Sequence, residues 1–245
     1  MSVARAVAIG IGLFVTAGWA DEEERVWDQA AAEKMVKEAI TVERSGKRPW
    51  NKISWRTDIK KAINDARNRG RPLLVFFYVP MDGPPLEDSC PGGRLMRAHV
   101  LSDSTVQSLV SKNFVPLKMK LDPQKGFPVD WPALKRWQTA FKMNQGKGFA
   151  GCSVIASDLH VEFGNTGSAR VWELFDSTAY DAKKFAAMLR LASDRNTEDR
   201  SLRAQRGINA AERRMVVGRF REGVGKAVKT EGRSHLPPKG YSLEQ

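Results

Sequence analysis

Along residues 22–45 the apolar positions repeat at the spacing of one helical face. Ala32, Met35, Val36, Ala39 and Ile40 fall at i, i+3, i+4, i+7 and i+8. The pattern predicts a helix from Glu22 to Ser45, ended by Gly46 and followed by an Arg48-Pro49 linker. A second helix is expected after Thr57-Asp58, with Ile59, Ala62, Ile63 and Ala66 on its inner side and Gly70 as its stop. Residues Leu73 to Val79 then run apolar without a break between Pro72 and Pro80. Seven residues are few for a helix, and such a run suits a strand covered on both faces of a parallel or mixed sheet.

The segment Met81 to Ser89 is rich in Pro, Gly and acidic residues and reads as a loop. Cys90-Pro91-Gly92-Gly93 leads from it into Arg94-Leu95-Met96, with Pro suited to the first helical position. Asp103 can cap a further helix carrying Val106, Leu109 and Val110. Val115, Leu117, Met119 and Leu121 alternate with Pro and Lys, the pattern of a peripheral strand with one solvated face. Trp131-Pro132 opens a helix with Leu134, Trp137 and Phe141 inside, ended by Gly146-Lys147-Gly148. Two strands, about 152–156 and 160–164, are joined through Ser157-Asp158 as a hairpin. Asp181 starts a last helix with Phe185, Met188, Leu189 and Ala192 on one face. From Asp194 onward the chain turns basic and loses large apolar residues, apart from a charged helical stretch expected around Ala210–Phe220.

Composition adds a compartment and a class of partner. The first residues carry Arg5, an apolar run from Ala6 to Ala17, then Gly18-Trp19-Ala20 and four acidic residues. This is the pattern of a signal peptide spanning Met1 to Ala20, and its apolar run is shorter than the ~20 residues of a bilayer span. A periplasmic or secreted protein is expected. The 245 residues then divide into the leader (1–20), an N-terminal helical extension (21–49), one main domain (50–193) and a basic tail (194–245). The net charge of +12 favours an anionic partner, either an acidic protein or an anionic membrane surface met by the tail. A solvated basic surface without a dedicated partner accounts for it equally. No aromatic pattern interleaves the charges, so nucleic acid is not expected.

The order helix, strand, Cys-bearing helix, strand, helix, hairpin, helix resembles the thioredoxin-like superfamily, in particular its exported bacterial members. Arg71-Pro72-Leu73-Leu74-Val75-Phe76-Phe77 resembles the central strand before the redox loop. Cys90-Pro91-Gly92-Gly93-Arg94-Leu95-Met96 resembles a C-x-x-C motif and the start of its helix. Leu101 to Val106 and Asn113 to Leu117 resemble the helix and strand that follow. Gly151-Cys152-Ser153-Val154-Ile155 resembles the segment that carries a cis-proline before the hairpin. The resemblance covers residues 50–193. It implies an α/β, three-layer fold around a central mixed sheet, with an N-terminal helix and a basic C-terminal tail added.

Two departures bear on function. Residues 81–88 are inserted between strand and motif, and Gly93 stands where the family has its resolving cysteine. A dithiol cycle needs one thiol to attack and a second to release the mixed disulfide. The resemblance therefore implies an altered thiol–disulfide role centred on Cys90, the candidate nucleophile. A helix N-terminus favours its thiolate; Glu87 and Asp88 oppose it, and Arg94 and Arg97 are placed to offset them.

The chain's other cysteine, Cys152, aligns with the cis-proline position and is the candidate resolving or disulfide partner. Three states remain open: a structural Cys90–Cys152 bond in a non-catalytic binding or scaffold module, a reducible bond acting as a switch, or two free thiols. Cys90, Cys152, His99 and Met96 also form a soft ligand set suited to copper(I), without the spacing of a recognised site. His99, His160 and His235 are scattered and read as surface residues, and no cofactor is expected. Trp131, Trp137, Phe141 and Phe149 read as core.

Overall fold

The computed structural model describes residues 28–80, 91–143, 149–167 and 178–204. The leader, residues 22–27, the loop 81–89, Cys90, Gly146 to Gly148, His235 and the tail beyond Ala204 lie outside the described residues.

Capping chemistry sets the helix boundaries. Helix α1 (Gln29–Arg44) starts where the Asp28 carboxylate accepts the Ala31 N–H. Helix α2 (Ile59–Arg69) starts in the same way, with Asp58 accepting from Lys61, and closes on Gly70 in the left-handed region at φ 59°. Strand β1 (Leu73–Tyr78) is buried along its whole length. Helix α3 (Pro91–Met96) runs into a wider π-helical turn at Arg97–Leu101. Helix α4 (Ser104–Asn113) is capped by Asp103. Strand β2 (Val115–Lys120), helix α5 (Lys135–Met143) behind a short 3-10 turn at Pro132–Leu134, strand β3 (Ala150–Ile155), strand β4 (Glu162–Asn165) and helix α6 (Ala182–Ala204) complete the order.

The strands form one mixed sheet in the order β2-β1-β3-β4. Strands β1 and β2 are parallel, from Leu73 opposite Val115 to Tyr78 opposite Lys120. Strand β3 is antiparallel to both β1 and β4. The outer edge of β2 is partly covered by Arg56, whose N–H donates to Pro116 O at 3.0 Å and whose carbonyl accepts from Lys118 N at 2.8 Å.

Period-2 alternation along the strands builds two cores. Leu74, Phe76 and Tyr78 of β1 and Cys152 and Val154 of β3 face α1, α3, α4 and α6. Leu73, Val75 and Phe77 face α2 and α5 with β2's Val115, Leu117 and Met119. Each buried Phe or Leu side chain contributes roughly 1.5–3 kcal/mol relative to exposure. The result is a three-layer α/β arrangement. No helix among the described residues is long and apolar enough to cross a membrane.

Two boundaries differ from the sequence reading. Strand β3 begins two residues before Cys152, at Ala150. Helix α6 does not end where the composition changes at Asp194; it continues to Ala204 and buries Arg195 and Asp199. Those charges escaped the apolar-face pattern because each is satisfied by a polar partner. Arg195 Nη1 donates to Phe163 O, and Arg203 Nε donates to Asp199 Oδ2 at 2.6 Å.

Candidate functional site

The parallel strands β1 and β2 end at the same edge of the sheet, and α3 begins with Pro91 directly after Cys90 in the chain. Gly92 and Gly93 are both buried at the head of that helix. Gly93, the position where the sequence resemblance implies a resolving cysteine, is thus an interior position without a thiol. Proline at the first helical position costs no hydrogen bond, because that N–H has no partner within the helix.

Arg94 and Arg97, one turn apart, converge on Glu43 near the end of α1. Arg94 Nε lies 2.8 Å from Glu43 Oε2, a close ion pair whose N–H is not aligned as a hydrogen bond. Arg97 Nη2 donates to Glu43 Oε1 at 2.7 Å. The Glu43 and Arg97 side chains are only 5% and 4% exposed. The Arg97 guanidinium also stands over the Trp50 ring, 5.5 Å from its centroid.

Further polar contacts hold α1 and its linker across α3. His99 Nε2 is 2.9 Å from Met35 O, and Gln107 Nε2 donates to Pro49 O at 2.9 Å and to Leu101 O at 3.0 Å. Arg94 and Arg97, expected to offset Glu87 and Asp88, thus share the one Glu43 carboxylate, which balances one of their two charges. Glu43 itself was legible only by extension: it sits four residues past Ala39, the next position on the α1 apolar face.

Cys152 lies inside the sheet. It pairs in register with Phe76, and its side chain is fully buried on the same face as Leu95 and Met96 of α3. Its N–H donates to Thr166 Oγ1 at 3.0 Å, and its carbonyl accepts from Thr166 N at 3.0 Å. A proline could not make the first of these bonds. Cys152 is a free thiol among the described residues, and Cys90, its expected partner, lies outside them. Burial pushes that thiol well above its ordinary pKa, so it stays protonated and inert at neutral pH.

The remaining candidates separate. Met96 is fully buried in the core, and His99 is half-buried, with its ring against the α1 backbone. His160 is exposed. Among the described residues no group of three or more His, Cys, Asp or Glu is placed to hold a metal ion. Trp131, Trp137, Phe141 and Phe149 are all core residues, with Trp137 and Phe77 centroids 4.5 Å apart.

One buried carboxylate had no signal in the sequence. Glu162 Oε1 accepts from Ser153 Oγ at 2.7 Å and Trp137 Nε1 at 2.9 Å, and Arg136 Nε lies 3.3 Å from its Oε2. These bonds tie α5 to the β3–β4 hairpin on the face opposite Cys152. No protein-family model matches the chain, and no curated protein matches it as a relative.

Proposed function

We propose that this chain is an exported thioredoxin-like protein that has given up dithiol exchange and works as a binding module, with Cys90 the single thiol left at the redox position. The thioredoxin-like part is supported by connectivity. A central strand leads to a helix that starts at Pro91, the residue after Cys90 in the sequence; a parallel neighbour and an antiparallel hairpin follow, in the order β2-β1-β3-β4. The export part rests on the leader pattern from Met1 to Ala20. The natural partner class is an acidic protein or an anionic membrane surface, met by the basic tail.

The observation that carries the loss of exchange is the full burial of Cys152, the one other sulfur in the chain that could resolve a mixed disulfide at Cys90. A dithiol cycle needs a second accessible thiol. The Glu43 clamp holds Arg94 and Arg97 but balances only one of their two charges; Gly93 has no sulfur, and Cys152 is enclosed as a protonated thiol.

The test is reduction of insulin by dithiothreitol with the purified protein added. No acceleration over dithiothreitol alone is expected, and Cys90→Ser should leave the trace unchanged. Acceleration that disappears in Cys90→Ser would overturn the reading and restore Cys90 as a working nucleophile.

A further inference from the structure

We propose a binding site for a small organic anion, a carboxylate or phosphate on a flat apolar body, in the hollow between loop 123–130 and helix α5. It is separate from the Cys90 region and does not depend on thiol chemistry. The cavity measures about 680 Å³, within the ~300–1,000 Å³ of small-molecule sites. Lys125, Lys135 and Lys142 line it together with Phe127, Phe141 and Gln138. Phe141 is 4% exposed and forms the floor, while the three lysines are exposed at the rim.

The charge balance leaves a surplus of cations. Asp130 is the carboxylate in the lining, and Lys135 Nζ donates to it at 2.8 Å, so those two charges cancel. The Asp130 carboxyl is accordingly held below its usual range, chiefly by Lys135. Asp122 lies outside the lining, with its carboxylate turned onto the backbone N–H groups of Gln124 and Lys125 at 2.8 Å each. Asp122 also feels the charge of Lys125 and Asp130 that of Lys142, so three lysines stand against two carboxylates and one positive charge is left to meet an anion. Ammonium groups serve carboxylate or phosphate as point charges, without the fork geometry arginine demands. The apolar body of the ligand rests against Phe127, which already meets Phe141 edge-on at 6.0 Å.

The wall of the cavity is already ordered. Asp122 and Gly126 exchange two backbone hydrogen bonds, at 3.0 and 2.7 Å, around a turn with Gly126 at φ 84°. A Cβ at Gly126 would already touch the Phe141 ring at 3.4 Å. At the other end of the loop, Gln138 Nε2 donates to Val129 O at 2.8 Å and pins it to α5. A ligand therefore need not order the wall to bind. The loop also leaves the carboxyl end of β2 beside that of β1, the edge where open α/β sheets take their ligands.

The test uses the full chain, uniformly nitrogen-15 labelled, titrated with phenyl phosphate, phenol, inorganic phosphate and a short glutamate peptide. Phenyl phosphate should shift the amide signals of residues 123–130 and 138–142 and bind more tightly than phenol or inorganic phosphate. Lys125→Gln with Lys142→Gln should weaken it about tenfold, while Lys112→Gln, an exposed lysine on α4, should not. Phe127→Ala should weaken phenyl phosphate and leave inorganic phosphate unchanged. Absence of shifts up to about 10 mM phenyl phosphate, or equal affinity in the double lysine variant, would overturn the site. Binding of the glutamate peptide without phenyl phosphate binding would overturn the small-ligand assignment.

Discussion

Glu43 Oε1 of the N-terminal helix lies 2.7 Å from Arg97 Nη2 of the turn after α3, with both side chains almost wholly buried. A pair this far from solvent is costly to break, because the surviving charge keeps its desolvation penalty and loses its partner. Glu43→Ala should therefore lower stability by about 3 kcal/mol, at the low end for a buried pair because Arg97 keeps its place over Trp50. Urea denaturation of wild type and variant measures the loss. Limited proteolysis should show α1 cut first in the variant, since Glu43 ties it to α3. A loss below about 1 kcal/mol, the value of an exposed pair, would mean the clamp is open in solution.

Much of this architecture was legible in the chain because single physical signals announced it. Asp58, Asp103 and Asp181 each stand where a helix starts, and Leu73 to Val79 has one plausible fate for an apolar run of its length. The alternation along 115–121 marked β2 as peripheral, and it is an edge strand. What was not legible was pairing across long separations. Nothing local to Glu43 indicates Arg97 fifty-four positions on, and nothing near Glu162 indicates Ser153 and Trp137 as its donors. The run of α6 past Asp194 was hidden for the same reason, because buried charges read as surface until their partners are known. Cys152 is a further case of burial hidden from the local sequence. Alignment offered it as a neighbour of Cys90, while its register with Phe76 and its full burial within the sheet had no local signal.

Asp199 is fully buried on α6 and takes both Nε and Nη2 of Arg203 on one oxygen at 2.6 Å. Arg203 in turn reaches Asp158 at 3.3 Å, in the turn of the β3–β4 hairpin. Asp199→Asn keeps the shape and removes the charge, so stability should fall by about 2 kcal/mol, the worth of a hydrogen bond to a charged group. Amide exchange at Leu159 and His160 should speed up with it, since Arg203 then has less reason to hold the turn. Unchanged exchange at the turn would show that the Asp199–Arg203 pair does not hold it, leaving Arg195 on Phe163 O as the tie from α6 to the hairpin.

Gly151, next to Cys152, leaves no room for a side chain. A Cβ there would sit 3.0 Å from Gly167 O, 3.0 Å from Phe77 Cε2 and 3.1 Å from the Trp137 ring. Two of these neighbours are packed rings and the third is backbone, so none can yield cheaply. Gly151→Ala should cost about 2 kcal/mol, in the range of overpacked cores, seen as a lower Tm with an altered near-ultraviolet signal from Trp137. Gly46→Ala is the comparison. Nothing lies within 4 Å of its Cβ, so only the positive φ should count, for about 1 kcal/mol.

The enclosure of Cys152 makes stability depend on alkaline pH. In the unfolded chain a cysteine ionises above about pH 8.5. In the folded protein, burial pushes the Cys152 thiol well above that and keeps it protonated. The unfolded state then binds fewer protons than the native state at high pH, so stability falls as pH rises. The contribution is complete below about pH 8.5 and declines by ~1.4 kcal/mol per pH unit above it, until the folded thiol itself ionises. Cys152→Ala removes the group, at a cost of about 1 kcal/mol at neutral pH for the small cavity it leaves. Between about pH 8 and pH 10 the wild type should lose ~2 kcal/mol more than Cys152→Ala, by urea denaturation in matched buffers. Cys90 is present in both proteins and cancels in the difference. Parallel pH profiles would mean that the thiol reaches water in the folded state, and Ellman's reagent would then label it without denaturant.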